Sequence, residues 1–235
     1  MMRRILSLFL CFAAISSPAQ SLSSLISRGP DKAEIASGIK EALEGGIAAG
    51  TGRLSAEGGF LMNPSVKILF PPEALKAEST LRRLGMNKLC DDFILSLNRA
   101  AETATKEAKP IFVQAIKEMS LADATGLLLA KETDAATNYF KQETSQPLQA
   151  RFKPIIQGAL DRAGATKHWS DIVSSYNKVP LVKKMNTDLA SYATEKAVDG
   201  LFLEIAKEEL LIRQNARART SPLLQKVFGF AEKSR

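Results

Sequence analysis

Apolar residues recur every third or fourth position along almost the whole of this chain, and the strict alternation of a half-buried strand is nearly absent. A chain patterned this way can bury its apolar residues only by packing helix on helix. The reading is an all-α fold, an irregular multi-helix bundle of about eight helices with one ordered Gly/Pro-rich loop.

The helices follow from their faces. After Pro30, with Asp31 as cap, Ile35, Ile39, Leu43 and Ile47 mark a first long helix. Gly45, Gly46 and Gly50 weaken it, and mark either close packing or a frayed end. Residues 51–73 are the irregular segment, punctuated by Gly52, Gly58, Gly59, Asn63, Pro64, Pro71 and Pro72. Within it, residues 66–70 are the one candidate strand. With no partner in view, they read as an extended loop pinned by Phe60, Ile68 and Phe70.

A short helix over 73–85 closes at Gly85. The next, from Asn87 to Lys106, carries the stripe Cys90, Phe93, Ile94, Leu97, Ala101 and Ala104. Pro110 opens another helix through Phe112, Ile116 and Met119. Ser120 and Asp123 form a capping-box pattern before Leu127. Residues 133–163 are amphipathic, but Pro147 and Pro154 predict a break or kink. Gly164 ends that region, and a helix over 168–177 follows. Residues 187–213 give the clearest helix, with Leu189, Tyr192, Ala193, Ala197, Leu201, Ile205 and Ile212 on one face. A hinge at 217–221 leads to a short C-terminal helix and tail within 219–235.

The amino terminus sets the compartment. Arg3 and Arg4 precede an apolar run from Ile5 to Ile15, and then Ser17, Pro18 and Ala19. This is the pattern of a secretory signal over residues 1–19, too short to span a bilayer, with small residues at the cleavage site. The expectation is a periplasmic single helical domain over 20–235. Processing removes Arg3 and Arg4, so 30 of the 32 Lys and Arg remain against 25 Asp and Glu, a net +5. The charges are interspersed, which argues against nucleic acid and leaves room for peripheral contact with an anionic membrane. Processing also removes Cys11, leaving Cys90 and no internal disulfide. Leu10 before Cys11 is not the small residue that lipid attachment at that cysteine needs.

Four strings are found in order: Ser96 to Glu102 (SLNRAAE), Lys109 to Phe112 (KPIF), Ala136 to Phe140 (ATNYF) and Asp199 to Phe202 (DGLF). In this order, behind an export signal, the chain resembles the bacterial domain-of-unknown-function family 4197, over about residues 21–229. Where the resemblance implies glycine before the third string, Lys131 and Glu132 stand. It implies an exported helical protein and brings no activity, ligand or catalytic residue.

Candidate chemistry is sparse. His168 is the sole histidine, so no His/Cys metal spacing exists, and no metal or cofactor is expected. Cys90 lies in an apolar stripe beside Asp91 and Asp92, the setting of an inert thiol. No nucleophile elbow or phosphate-cradling loop occurs. At 100° per residue, Arg99 and Glu102 point away from the apolar stripe with Asn98 at its border, either a solvated face or a polar site.

The aromatics Tyr139, Phe140, Phe152, Tyr176, Tyr192 and Phe202 pack a core, or line a pocket with Arg151 or Lys153 at its mouth. The candidate ligand-binding residues are therefore Asn98, Arg99, Glu102, Tyr139, Arg151 and Tyr192. The leading expectation is a non-enzymatic binding or interaction module of the cell envelope, with an unidentified protein partner. The first alternative is a carrier of an apolar small molecule or lipid. The second is an enzyme using Glu102, Glu195, Asp199 or Glu204.

Overall fold

Asp31 starts the first helix, α1 (Lys32–Leu54), with a complete capping box: its carboxylate accepts the Glu34 N–H, and the Glu34 carboxylate accepts the Asp31 N–H. In this computed structural model, which describes residues 29–182 and 188–234, eight further α-helices follow. They are α2 (Leu75–Arg83), α3 (Asn87–Thr105), α4 (Ala108–Glu118), α5 (Ala124–Leu129), α6 (Ala135–Arg162), α7 (Ala165–Asn177), α8 (Leu189–Gln214) and α9 (Pro222–Lys233). No strand occurs among the described residues, so the chain is an all-α multi-helix bundle. Residues 1–19, read from the sequence as an export signal with its cleavage site, and Cys11 lie outside the described residues.

The glycines of α1 explain its place. A Cβ at Gly38 would lie 2.8 Å from the Val227 side chain, and one at Gly46 would lie 3.1 Å from the Ile205 backbone. A Cβ at Gly50 would lie 2.9 Å from the Glu204 side chain. These positions let α8 and α9 approach the α1 backbone, and α1 packs most extensively on α8. Gly45 faces open space and has no such reason. The helix runs to Leu54, four residues into the span read as irregular, because this close packing continues through Gly50 and Leu54 is buried.

Of the break or kink expected in α6, the break does not occur. Its 28 residues are continuous, with Pro147 and Pro154 inside. The two prolines are seven apart and both exposed, as are Glu143 and Ala150, whose carbonyls lose their donors. Water can satisfy those carbonyls, while Phe140, Leu148, Phe152, Ile156 and Leu160 hold the opposite face in the core. Here tertiary burial outweighs the local cost. The ion pairs Lys141–Asp199 and Lys153–Asp188 show that α6 and α8 run antiparallel.

Three helix ends and connections differ from their sequence pattern. Asp123, not Ser120, caps α5, accepting the Gly126 N–H at 2.8 Å. Helix α7 begins at Ala165, because Gly164 with φ +75° allows a direct turn from α6. The segment read as a hinge is pinned: the buried Arg219 guanidinium donates to the carbonyls of Ile212 and Arg213, capping α8, and pairs with Glu232 at 2.7 Å.

The core is one continuous cluster of buried residues. Phe70, Phe93 and Trp169 pack where the irregular segment meets α3 and α7, with Phe93 and Trp169 centroids 5.2 Å apart. Phe112, Phe140 and Phe202 join α4, α6 and α8 at 5.4–6.3 Å. Most of the candidate aromatics are thus core residues. No described helix is long and apolar enough to cross a membrane.

Candidate functional site

Between α1 and the 3-10 turn Pro72–Ala74, the chain has no repeating hydrogen-bond pattern to satisfy its backbone. Short turns supply part of it: Asn63 accepts the Val66 and Lys67 N–H groups on its carbonyl and the Ser65 N–H on its side chain. Phe60, Val66, Ile68 and Phe70 are buried as anchors. Gly59 is wedged so tightly that a Cβ would meet the carbonyl oxygens of Arg53 and Leu54 at 2.5 Å.

Neighbouring helices supply the rest. The Asn98 carboxamide accepts the Ile68 N–H at 2.9 Å and donates to the Ile68 carbonyl at 2.8 Å, copying one rung of a sheet. Glu102 accepts the Phe60 and Leu61 N–H groups at 3.2 and 3.3 Å on one oxygen, and Arg99 at 2.7 Å on the other. Arg99 also reaches Glu57 at 2.7 Å. From α8, the Tyr192 hydroxyl donates to the carbonyls of Leu69 and Phe70 at 3.1 and 3.3 Å. Burial and the charge of Glu195 hold that hydroxyl's pKa above its ordinary value.

Four of the six candidate residues therefore meet on one loop. Asn98 and Glu102 are buried, which corrects the solvated-face reading: the loop covers the polar side of α3. A helical wheel sees only the helix itself and could not register that cover. The other two candidates meet elsewhere. Tyr139 donates to the Ser120 carbonyl at 2.8 Å, and Arg151 lies 3.7 Å from Glu118. Arg151 lines a groove of about 250 Å³ between α4 and α6, floored by Ala115, Met119 and Leu148, and Tyr139 reaches its edge through Ser120.

The fixed loop has a consequence beyond itself. Its residues Ser65, Val66 and Lys67 form one wall of a cleft of about 440 Å³; the other walls are the start of α6 and the middle of α8. Gly200 permits this approach, since a Cβ there would lie 3.1 Å from the Phe60 ring and 3.4 Å from Val66. Phe202, Leu203 and Ala206 supply apolar surface, while Asn138, Lys141, Lys196, Asp134 and Asp199 supply polar and charged groups. Lys141 pairs with Asp199 at 2.8 Å and lies over the Phe202 ring at 5.8 Å. Lys196 pairs with Glu195 at 3.1 Å and lies 5.7 Å from the Tyr192 ring centroid.

Sequence reading missed Lys67, Asp134, Lys141 and Lys196, because solvent-facing charges on separate elements carry no spacing signal. The one available hint was that two of the quoted strings, those containing Asn138 and Asp199–Phe202, fall on adjacent helices.

The four candidate carboxylates are all engaged. Glu102 holds the loop, Asp199 takes Lys141, and Glu195 takes Lys196. Burial pushes Glu204 upward, but hydrogen bonds from Lys207 and Arg53 outweigh it and leave its pKa below the ordinary value. Cys90 is fully buried, and desolvation raises its thiol pKa.

His168 Nδ1 lies 3.1 Å from Ser96 Oγ, a contact that links α7 to α3. The Ser96 hydroxyl donates to the Phe93 carbonyl within its own helix. Among the described residues no group of three or more His, Cys, Asp or Glu is placed to hold a metal ion.

Fold and site together define an all-helical protein whose surface cleft is walled by a side-chain-clamped loop. The chain belongs to the family described as Protein of unknown function (DUF4197), which matches residues 29–229. No curated protein and no solved structure matches it.

Proposed function

We propose that this protein is a non-enzymatic binding module of the bacterial cell envelope, exported by residues 1–19, and that the loop-walled cleft is its binding site. The observation that carries the reading is the clamped loop. Asn98, Glu102 and Tyr192 fix an irregular segment at three separate points, so that Ser65–Lys67 stand against α6 and α8 with a concavity left between them. Rigid positioning of a loop beside a cleft is what a preformed small-molecule site needs. In this reading Asn98, Arg99, Glu102 and Tyr192 are positioning residues.

A carrier of an apolar molecule is the second reading. It is favoured by the Met119 and Leu148 floor of the groove beside Tyr139 and Arg151.

The test is native mass spectrometry of the protein purified gently from the periplasm of its host. The expected result is a polypeptide beginning near Gln20 with an additional mass that leaves on denaturation. A bare mass from the cytoplasmic fraction, with residues 1–19 intact, would overturn both the export and the binding parts.

A further inference from the structure

Five charged side chains line the cleft: Lys67, Lys141, Lys196, Asp134 and Asp199. Three are matched, since Asp199 takes Lys141, and Lys196 has Glu195 and the Tyr192 ring. The remaining two are of opposite sign and come from different elements. Lys67 sits on the clamped loop and Asp134 at the amino end of α6, and among the described residues neither side chain has a hydrogen-bond or ion-pair partner. The Asn138 carboxamide, one turn after Asp134, is likewise without a partner among the described residues. Val66, Phe202 and Leu203 line the same cleft and supply its apolar surface.

We propose that the cleft binds a small zwitterion with an apolar side group, of the amino-acid or short-peptide type. The ligand's carboxylate takes Lys67, its ammonium takes Asp134, and its side group lies on Phe202 and Leu203. This rests on the reading of the cleft as a binding site and narrows it. A simple anion would meet the unmatched Asp134 and a simple cation the unmatched Lys67. Only a ligand carrying both charges satisfies both groups, and leaving either desolvated and unpaired carries a penalty. A volume of about 440 Å³ accommodates a ligand of this size.

The experiment is titration of the 15N-labelled protein with four probes: phenylalanine, leucylphenylalanine, 3-phenylpropionate and 2-phenylethylamine. The last two keep the aromatic body and remove one charge each. Phenylalanine or the dipeptide is expected to shift the amides of residues 65–67 and 137–141, and to bind about tenfold or more tightly than either single-charge analogue. The better of the two identifies a free amino acid or a peptide as the source.

In Lys67→Gln the zwitterion's advantage over 2-phenylethylamine is expected to disappear. In Asp134→Asn its advantage over 3-phenylpropionate is expected to disappear. Both side chains lack partners, so both variants should fold, which the amide spectrum checks directly. Equal or tighter binding of a single-charge analogue to the wild type overturns the zwitterion assignment while leaving the cleft a site. Absence of any shift at the cleft with all four probes, together with a co-purified ligand that shifts amides elsewhere, overturns the cleft reading itself.

Discussion

Glu209 and Arg213, one turn apart on α8, form an ion pair of 2.7 Å with both side chains only 2% exposed. Each also closes a helix end. Glu209 accepts the Ala136 and Thr137 N–H groups at the start of α6, and Arg213 donates to the Leu127 and Leu128 carbonyls at the end of α5. A negative group at a helix amino end and a positive group at a carboxyl end are both favoured by the backbone dipoles. The pair thus connects α5, α6 and α8, and it fixes the amino end of α6, where Asp134 lines the cleft.

Removing one member of that pair leaves a buried charge and orphaned backbone groups. Arg213→Met is expected to destabilise the protein by about 3–5 kcal/mol. The double change Glu209→Met with Arg213→Met should cost less than the sum of Glu209→Met and Arg213→Met made singly. Urea unfolding of the two singles and the double checks this, and strict additivity would refute the coupling.

The loop clamp gives a second expectation. Asn98→Ala orphans the N–H and C=O of the buried Ile68, at an expected loss of about 2–4 kcal/mol. Arg99→Ala, whose guanidinium is one-third exposed, should cost no more than about 1 kcal/mol. Chemical denaturation measures both, and similar losses for the two would contradict the assigned roles.

Two glycines should respond with opposite signs. Gly45→Ala places a methyl in open space on an exposed helical site and should stabilise α1 by about 0.5–1 kcal/mol. Gly59→Ala drives a methyl against the Arg53 and Leu54 carbonyls, where only backbone movement can relieve it, and should destabilise the protein by about 2 kcal/mol or more. Thermal melts of the pair test both signs.

Acid should loosen the amino end of α8. Asp188 is held down to about 2, from an ordinary 3.8, by its hydrogen bonds with Lys153 and with the Ser191 N–H and hydroxyl. A depressed carboxylate contributes stability that is fully present above its unfolded value and is lost as pH falls through its folded one. That stability should therefore disappear between about pH 4 and pH 2. In Asp188→Asn the acid-dependent loss over this window should be smaller than in the wild type. Unfolding midpoints at pH 5 and pH 2.5 measure the difference, and identical losses would exclude the mechanism.

Legibility followed the range of the interaction. Ile35, Ile39, Leu43 and Ile47 are all buried on α1, and Asp31 caps it, because spacing and capping are local properties of the chain. Phe60, Ile68 and Phe70 pin the loop as their isolation among turn residues implied. No break falls at Pro147 or Pro154: the local cost of a proline is visible in sequence, while its exposure on a helix anchored by Phe140 and Phe152 is not. Asn98 and Glu102 were visible as polar residues beside an apolar stripe; the loop that covers them begins some forty positions upstream.

Local patterning along the chain was enough for the all-helical class, most helix positions, the caps at Asp31, Gly85 and Gly164, and the family. These depend on periodicity and on backbone preferences acting within a few residues. The tertiary structure alone decided that α6 stays whole, that Asn98, Glu102 and Tyr192 grip one loop, and that Lys67 and Asp134 border one cleft. Those outcomes arise where buried backbone groups must find partners and where distant elements pack. Both depend on which surfaces meet, and spacing along a single chain does not encode that.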